Sequence, residues 1–159
     1  MEFFTAIEAF PVSTAIRESG WMFPTIETLH VLFLALVLSA IAVVDLRLAG
    51  VTLKERGVDD LMRRTLPGAW VSFVGAVITG VMMFASSATH YGANAAFWLK
   101  MILLALAGLN MAVFHLGAYR KMHLWDPEAL PPIAARAAAL ISLTLWVGVV
   151  LAGRWVGFL

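Results

Sequence analysis

The chain has 159 residues, a formal net charge of +1, 62% hydrophobic and 13% charged residues, and no cysteine. A chain of this length cannot hide so much apolar surface in one water-soluble core, so lipid is its expected solvent. The near-neutral charge gives no basis for nucleic-acid binding. Without cysteine there are no disulfides, thiolate metal sites, iron–sulfur clusters or covalently attached haem.

The first stretch, residues 1–20, is dense in aromatics. Phe3, Phe4, Ile7 and Phe10, then Val12, Ala15 and Ile16, give two short amphipathic turns around Pro11. No basic residue precedes the first apolar ones, and Glu8 and Pro11 interrupt the run, so it does not read as a cleaved signal. It is expected to form an amphipathic interfacial helix on the membrane, with Gly20, Trp21 and Pro24 turning the chain inward.

Residues 21–159 read as a four-helix transmembrane domain. Apolar segments at about 24–46, 66–88, 93–119 and 133–157 each exceed the roughly 20 residues needed to cross the hydrocarbon. Lipid cannot satisfy an open backbone, so all four must be helical. The predicted fold is therefore all-α, an integral membrane four-helix bundle. Arg47, Lys54, Arg56, Arg63 and Arg64 lie between the first and second helices, and Arg120, Lys121 and Arg136 between the third and fourth. Only Arg17, Lys100 and Arg154 lie toward the other side. The positive-inside rule then places both basic loops in the cytoplasm and both termini in the periplasm of a bacterial inner membrane.

The spans carry an internal echo. Phe73-Val-Gly-Ala-Val-Ile-Thr-Gly80 resembles Trp146-Val-Gly-Val-Val-Leu-Ala-Gly153, and Leu34-Ala-Leu36 falls on Leu104-Ala-Leu106. The shared offset of about 70 residues suits a parallel two-plus-two helix repeat, with its pseudo-twofold axis along the membrane normal. In that register His30 is equivalent to Lys100, and Asp45 to His115. Glycines crowd the second and fourth helices, where they permit close packing, oligomer contacts or the approach of a flat cofactor.

Polar residues fall into two layers. The outer one holds Glu27, His30, Lys100 and Arg154, with His90 just beyond the second helix and Met82, Met83 and Met101 at similar depth. The inner one holds Asp45, Arg47, His115 and Tyr119. Ionisable groups at such depths usually face a bundle or cavity with a partner. His115 lies about 22 Å deeper than Lys100 at 1.5 Å per residue, so His30 and His115 cannot share one iron within a chain. Asn110, mid-helix, reads as interhelical glue. Trp21, Trp70, Trp98, Trp125 and Trp155 form an aromatic belt, while Trp146 lies deeper, and His123 belongs to a cytoplasmic loop.

Several chemistries fit these layers. Haem b would take His30 and His90 as its imidazoles, with Arg17, Lys100 and Arg154 as propionate partners. A second haem on His115 would need a ligand from another chain or another residue type. Copper would find imidazole and thioether ligands in His30, His90, Met82, Met83 and Met101, although neighbouring Met82 and Met83 point about 100° apart. Glu27-x-x-His30 has the spacing of half a di-iron site, with no second copy. Asp45 with His115, and Glu27 with His30, are candidate proton relays. Beside each stands a structural reading, in which Glu27, Asp45, Arg47, His115 and Tyr119 form a packing network and His30 is a hydrogen-bonded core histidine.

As a set, Glu27-Thr-Leu-His-Val, Val44-Asp-Leu-Arg-Leu-Ala-Gly50, Gly108-Leu-Asn, Phe114-His-Leu-Gly-x-Tyr-Arg120, Trp125-Asp126 and Val149-Val-Leu-Ala-Gly-Arg154 resemble a family of small bacterial four-helix membrane proteins of unknown function. The resemblance spans nearly the whole chain and implies architecture rather than activity. More loosely, the chain is similar to copper-resistance D and cytochrome b561-like membrane proteins, which share periplasm-facing histidines in helical bundles. Its histidine spacing departs from the b561 pattern. The expected function is a membrane redox or metal-associated protein that binds haem b through His30 and passes electrons between the quinone pool and a periplasmic partner. The alternatives are a non-enzymatic structural or accessory subunit of a larger membrane complex, and a copper-handling membrane protein. The topology predicts that a C-terminal tag is reachable from the periplasm, and labelling from the cytoplasm alone would contradict it.

Overall fold

A computed structural model describes residues 2–124 and 130–158, and side chains throughout except at 123 and 124. The chain is helical, with no strand among the described residues. A short arm of α1 (Glu2–Glu8) and α2 (Pro11–Glu18) comes first. The long helices are α3 (Met22–Leu48), α4 (Val58–Ser86), α6 (Ala95–Leu116) and α7 (Ile133–Trp155), with a short α5 (Ala88–Ala93) between the second and third. A 3-10 helix, Ala118–Leu124, follows α6. Four spans are long and apolar enough to cross a membrane, as a multi-pass protein requires. The motif residues Trp125 and Asp126, and the side chain of His123, lie outside the described residues.

The bounds differ from expectation in three places. The arm is two helices rather than one, because Pro11 opens α2 after an extended Phe10. Helix α4 begins at Val58 rather than near Leu66. Its first turns are held by Asp59–Arg63 and Asp60–Arg64 pairs, 2.8 and 2.9 Å long and spaced i,i+4. Such exposed pairs each contribute only about 0.3–0.5 kcal/mol, but they give a polar entry into an apolar helix. The chain beyond α4 does not run straight into the next span. It breaks at Ser87 and forms α5 first.

Helix α3 ends in a Schellman turn. The Val51 amide donates to the Leu46 carbonyl and the Gly50 amide to that of Arg47, each at 3.0 Å. Gly50 sits at φ +78°, the left-handed conformation in which a side chain is strained. The Leu130 side chain closes on the same spot, 2.8 Å from where a Cβ would stand.

Helices α3 and α4 pack as one hairpin and α6 and α7 as a second, with the two joined through α3 and α7. The glycines explain the pairing. A Cβ on Gly75 would lie 2.7 Å from the Phe33 ring, and one on Gly148 would lie 3.2 Å from Leu103. One turn or so further along, Gly80 faces His30 at 3.1 Å and Gly153 faces the Lys100 chain at 3.6 Å. These are the positions the internal echo makes equivalent, so each hairpin repeats the other's contacts. Asn110 adds a polar tie within the second hairpin, its Nδ2 donating to the Ala138 carbonyl at 2.9 Å.

The apolar core gathers where the loops are. Leu48 and Ala49 of the first hairpin meet Phe114, Ala135 and Ala139 of the second, with Val58 and Met62 beside them. Ala135 and Ala139 are almost completely buried, and their small side chains let α7 approach closely. At the opposite end, which carries the termini, the hairpins separate.

Gly75→Ala is expected to destabilise the folded protein by about 1–3 kcal/mol, because its methyl overpacks against Phe33. Gly108→Ala, which meets nothing within 4 Å, should change stability by less than about 0.5 kcal/mol. Thermal unfolding in detergent distinguishes the two, and equal melting of both variants would mean that Phe33 yields freely.

Candidate ligand cavity at the terminal end

Between the parted hairpins lies a cavity of about 570 Å³. Its floor is Leu38 of α3 and Trp146 of α7, and Glu27 stands near its mouth. Eleven residues separate Glu27 from Leu38, which makes the cavity about 16 Å deep along α3 at 1.5 Å per residue. One side is aromatic. Phe84 at the end of α4 stacks on Phe97 at the start of α6, with ring centroids 5.3 Å apart. Tyr91 leans on both, at 6.2 and 5.8 Å. Val31 of α3 and Val150 of α7, both apolar and exposed, also line the cavity.

His30 is fixed on the α4 wall. Its Nδ1 lies 2.9 Å from the Ala76 carbonyl and 3.0 Å from the Thr79 hydroxyl. A carbonyl can only accept, so Nδ1 carries the proton. The Thr79 hydroxyl itself donates to the Gly75 carbonyl at 2.7 Å, leaving its lone pairs toward the imidazole. Nε2 therefore keeps its lone pair and has no hydrogen-bond partner among the described residues. This is the arrangement by which proteins orient a ligating imidazole. Gly80 leaves the room in which the ring lies.

The second hairpin supplies charge. Lys100 lines the cavity with its chain against Gly153, and Arg154 lies at the rim, its guanidinium 4.9 Å above the Phe158 ring. Glu27, on the first hairpin, opposes these two cations with one carboxylate. Burial, and then the negative charge of Glu27, raise the Tyr91 phenol above its ordinary value, so it stays a neutral hydrogen-bonding group at neutral pH. His90 stands on α5 at the exposed rim beside Tyr91, ring centroids 5.7 Å apart.

Asn94 braces this region. Its Oδ1 accepts from the Ala96 and Phe97 amides at 2.9 and 3.3 Å, capping α6, while its Nδ2 donates to the Val156 carbonyl at 3.0 Å. One buried side chain thus fixes the start of the helix that carries Lys100 and the end of the one that carries Arg154.

The cavity gathers Glu27, His30, His90, Lys100 and Arg154 from the outer layer, and Met83 with them. Met82 and Met101 do not line it, and Met101 is exposed. Arg17 instead reaches the Ser86 carbonyl at 3.5 Å. Among the described residues no group of three histidine or carboxylate side chains is placed to hold a metal ion. Phe84, Tyr91, Phe97, Thr79 and Asn94 were not singled out by sequence reasoning. Only Asn94 carried a signal for it, an amide just before an apolar run.

The inner layer is a separate place. His115 donates from Nδ1 to the Met111 carbonyl at 2.9 Å and faces Tyr119 at 5.0 Å between ring centroids. Asp45 is buried with Ser142 of α7 against its carboxyl group, and its Oδ2 has no hydrogen-bond partner among the described residues. Arg47, also buried, donates to the Arg56 carbonyl at 2.8 Å. No hydrogen bond joins Asp45 to His115 among the described residues.

A family profile described only as a family of unknown function, DUF6644, matches residues 4–159. The chain belongs to that family. The match takes in both hairpins and every residue of the cavity, so the DUF6644 region and the fold coincide. No curated protein and no solved structure matches the chain. Asn94→Ala should cost this DUF6644 protein about 1–2 kcal/mol, the loss of a helix cap. Asn94→Ser keeps a capping oxygen and loses the bond to Val156, so the expected order of melting temperatures is parent, Ser, Ala. An Ala variant as stable as the parent would rule out the cap as a support of the cavity.

Proposed function

We propose that the protein binds haem b in the terminal-end cavity, where His30 would supply an imidazole to hold it, and works in electron transfer at the periplasmic face of the inner membrane. The observation that carries the reading is the His30 imidazole. Its Nδ1–H is held by Ala76, and its Nε2 lone pair is left free on the wall of a cavity of about 570 Å³. Ligand cavities commonly span roughly 300–1,000 Å³.

The donor set fits the group. A planar apolar macrocycle suits the walls formed by Phe84, Phe97 and Trp146. Two propionates suit Lys100 and Arg154, whose two charges exceed the single one of Glu27. His90 is the second imidazole at that end. When bound, haem would supply one-electron chemistry. The chain's own residues orient the His30 imidazole, and Lys100 and Arg154 would pair with the propionates. Copper is less well supported, because Met82 and Met101 stand outside the cavity. An accessory-subunit role, with the polar groups serving association, competes with the haem reading.

The test is the visible spectrum of detergent-purified protein, oxidised and then reduced with dithionite, expressed with haem available. A Soret band with a reduced α-band is expected, lost in His30→Ala and retained in His123→Ala. Lys100→Met should weaken haem affinity roughly 10-fold or more, since a charge-assisted bond is worth about 1.5–3 kcal/mol. A colourless parent that co-purifies with a larger membrane complex would favour the accessory role. A full spectrum in His30→Ala would remove His30 as the ligand.

A further inference from the structure

The arm is more than a surface appendage, because it grips α5, the short helix that carries His90 and Tyr91 at the cavity rim. Three contacts make the grip. The Phe4 ring fills the notch at Gly92, where a Cβ would lie only 2.7 Å from it, and meets Phe84 edge-on at 6.2 Å. The Glu8 carboxylate accepts from the Thr89 amide at 2.7 Å. Arg17 donates to the Ser86 carbonyl at 3.5 Å, at the break between α4 and α5.

Helix α5 has few supports of its own. It spans only Ala88–Ala93, far shorter than a helix that persists alone, and no side chain at its own N-cap closes it. Its other ties are the Trp98 indole, which donates to the Gly92 carbonyl at 2.9 Å, and the packing of Tyr91 on Phe84 and Phe97. Phe84, the residue that Phe4 touches, is also the ring stacked on Phe97 in the cavity wall. Displacing the arm therefore removes support from the rim and from the aromatic side together.

We propose that the arm positions the cavity rim, with Phe4 and Glu8 as the positioning residues that set where His90 and Tyr91 stand over the mouth. This rests on the cavity being the working site proposed above. Neither residue lines the cavity, so each acts through α5 rather than on the ligand. The three contacts reach across the chain from the first eighteen residues to 84–92, so the rim is held by a segment that bypasses α3 and most of α4.

The absence of native cysteine allows a direct distance test. Spin labels at Ala93→Cys on α5 and Leu151→Cys on α7, both exposed positions, report the width of the mouth by pulsed dipolar spectroscopy in nanodiscs. The parent is expected to give one narrow distance distribution. Phe4→Ala and Glu8→Ala should broaden it toward longer distances, and Glu8→Gln, which keeps an acceptor oxygen, should restore the narrow form. Circular dichroism controls for loss of the fold, which would remove helicity well beyond the six residues of α5. Identical distributions in the parent, Phe4→Ala and Glu8→Ala would overturn the proposal, and so would a Glu8→Gln variant as broad as Glu8→Ala in an intact fold. Haem content, read on the same samples, addresses the function instead. A parent without haem would count against that function while the distances still decide the role of the arm.

Discussion

The Phe33 ring seated on Gly75 shows what holds this protein together. Helices in lipid gain nothing from hiding apolar side chains from one another, since lipid tails are as apolar as leucine. What remains is close packing, and close packing needs small residues opposite large ones. Gly75 receives Phe33 and Gly148 receives Leu103 at matching places in two matching hairpins. One turn further along, the same device serves chemistry. Gly80 makes room for the His30 imidazole and Gly153 for the Lys100 chain. The glycines that close the hairpins and those that admit polar side chains thus lie on the same helix of each pair.

The cavity follows from where the hairpins join. Small, fully buried Ala135 and Ala139 bring α7 against the first hairpin at the loop end. Beyond that junction Trp146 floors a space between the hairpins, and Phe84 of the first stacks on Phe97 of the second across it. A bundle closed by small residues at one end and spanned by aromatic rings at the other keeps a space between its hairpins. The polar residues that would be costly in lipid, His30 and Lys100, line that space instead.

Much of this was legible in the chain. Length and hydropathy marked the four spans, and the offset between Phe73–Gly80 and Trp146–Gly153 pointed to the two hairpins. The depth argument separated His30 from His115 and grouped His30 with Lys100, Arg154 and His90. Asn110 was read as interhelical and is bonded to Ala138. Other features were hidden for definable reasons. Asp59 and Asp60 read as loop by polarity, although their i,i+4 partners Arg63 and Arg64 were visible. Helix α5 has neither a glycine nor a proline at the break before it, so nothing local announced Ser87. The bond from Thr89 to Glu8 spans 81 positions, beyond the reach of any spacing rule. Asp45 was matched with His115 through the repeat register, but its neighbour is Ser142, because the pairing of α3 with α7 across the hairpins is not a relation within the repeat.

The repeat also bears on how a guest would sit. Two identical walls related by a twofold axis would accept a flat ligand equally well in either of two poses, turned by half a revolution. Here the equivalent wall positions hold an imidazole, with a lone pair to give, and an ammonium, with only protons to give. The two poses are no longer degenerate, and a difference of about 1.4 kcal/mol already favours one of them tenfold. Divergence at equivalent pairs, His30 with Lys100 and Glu27 with Phe97, turns a symmetric slot into one with a defined front and back.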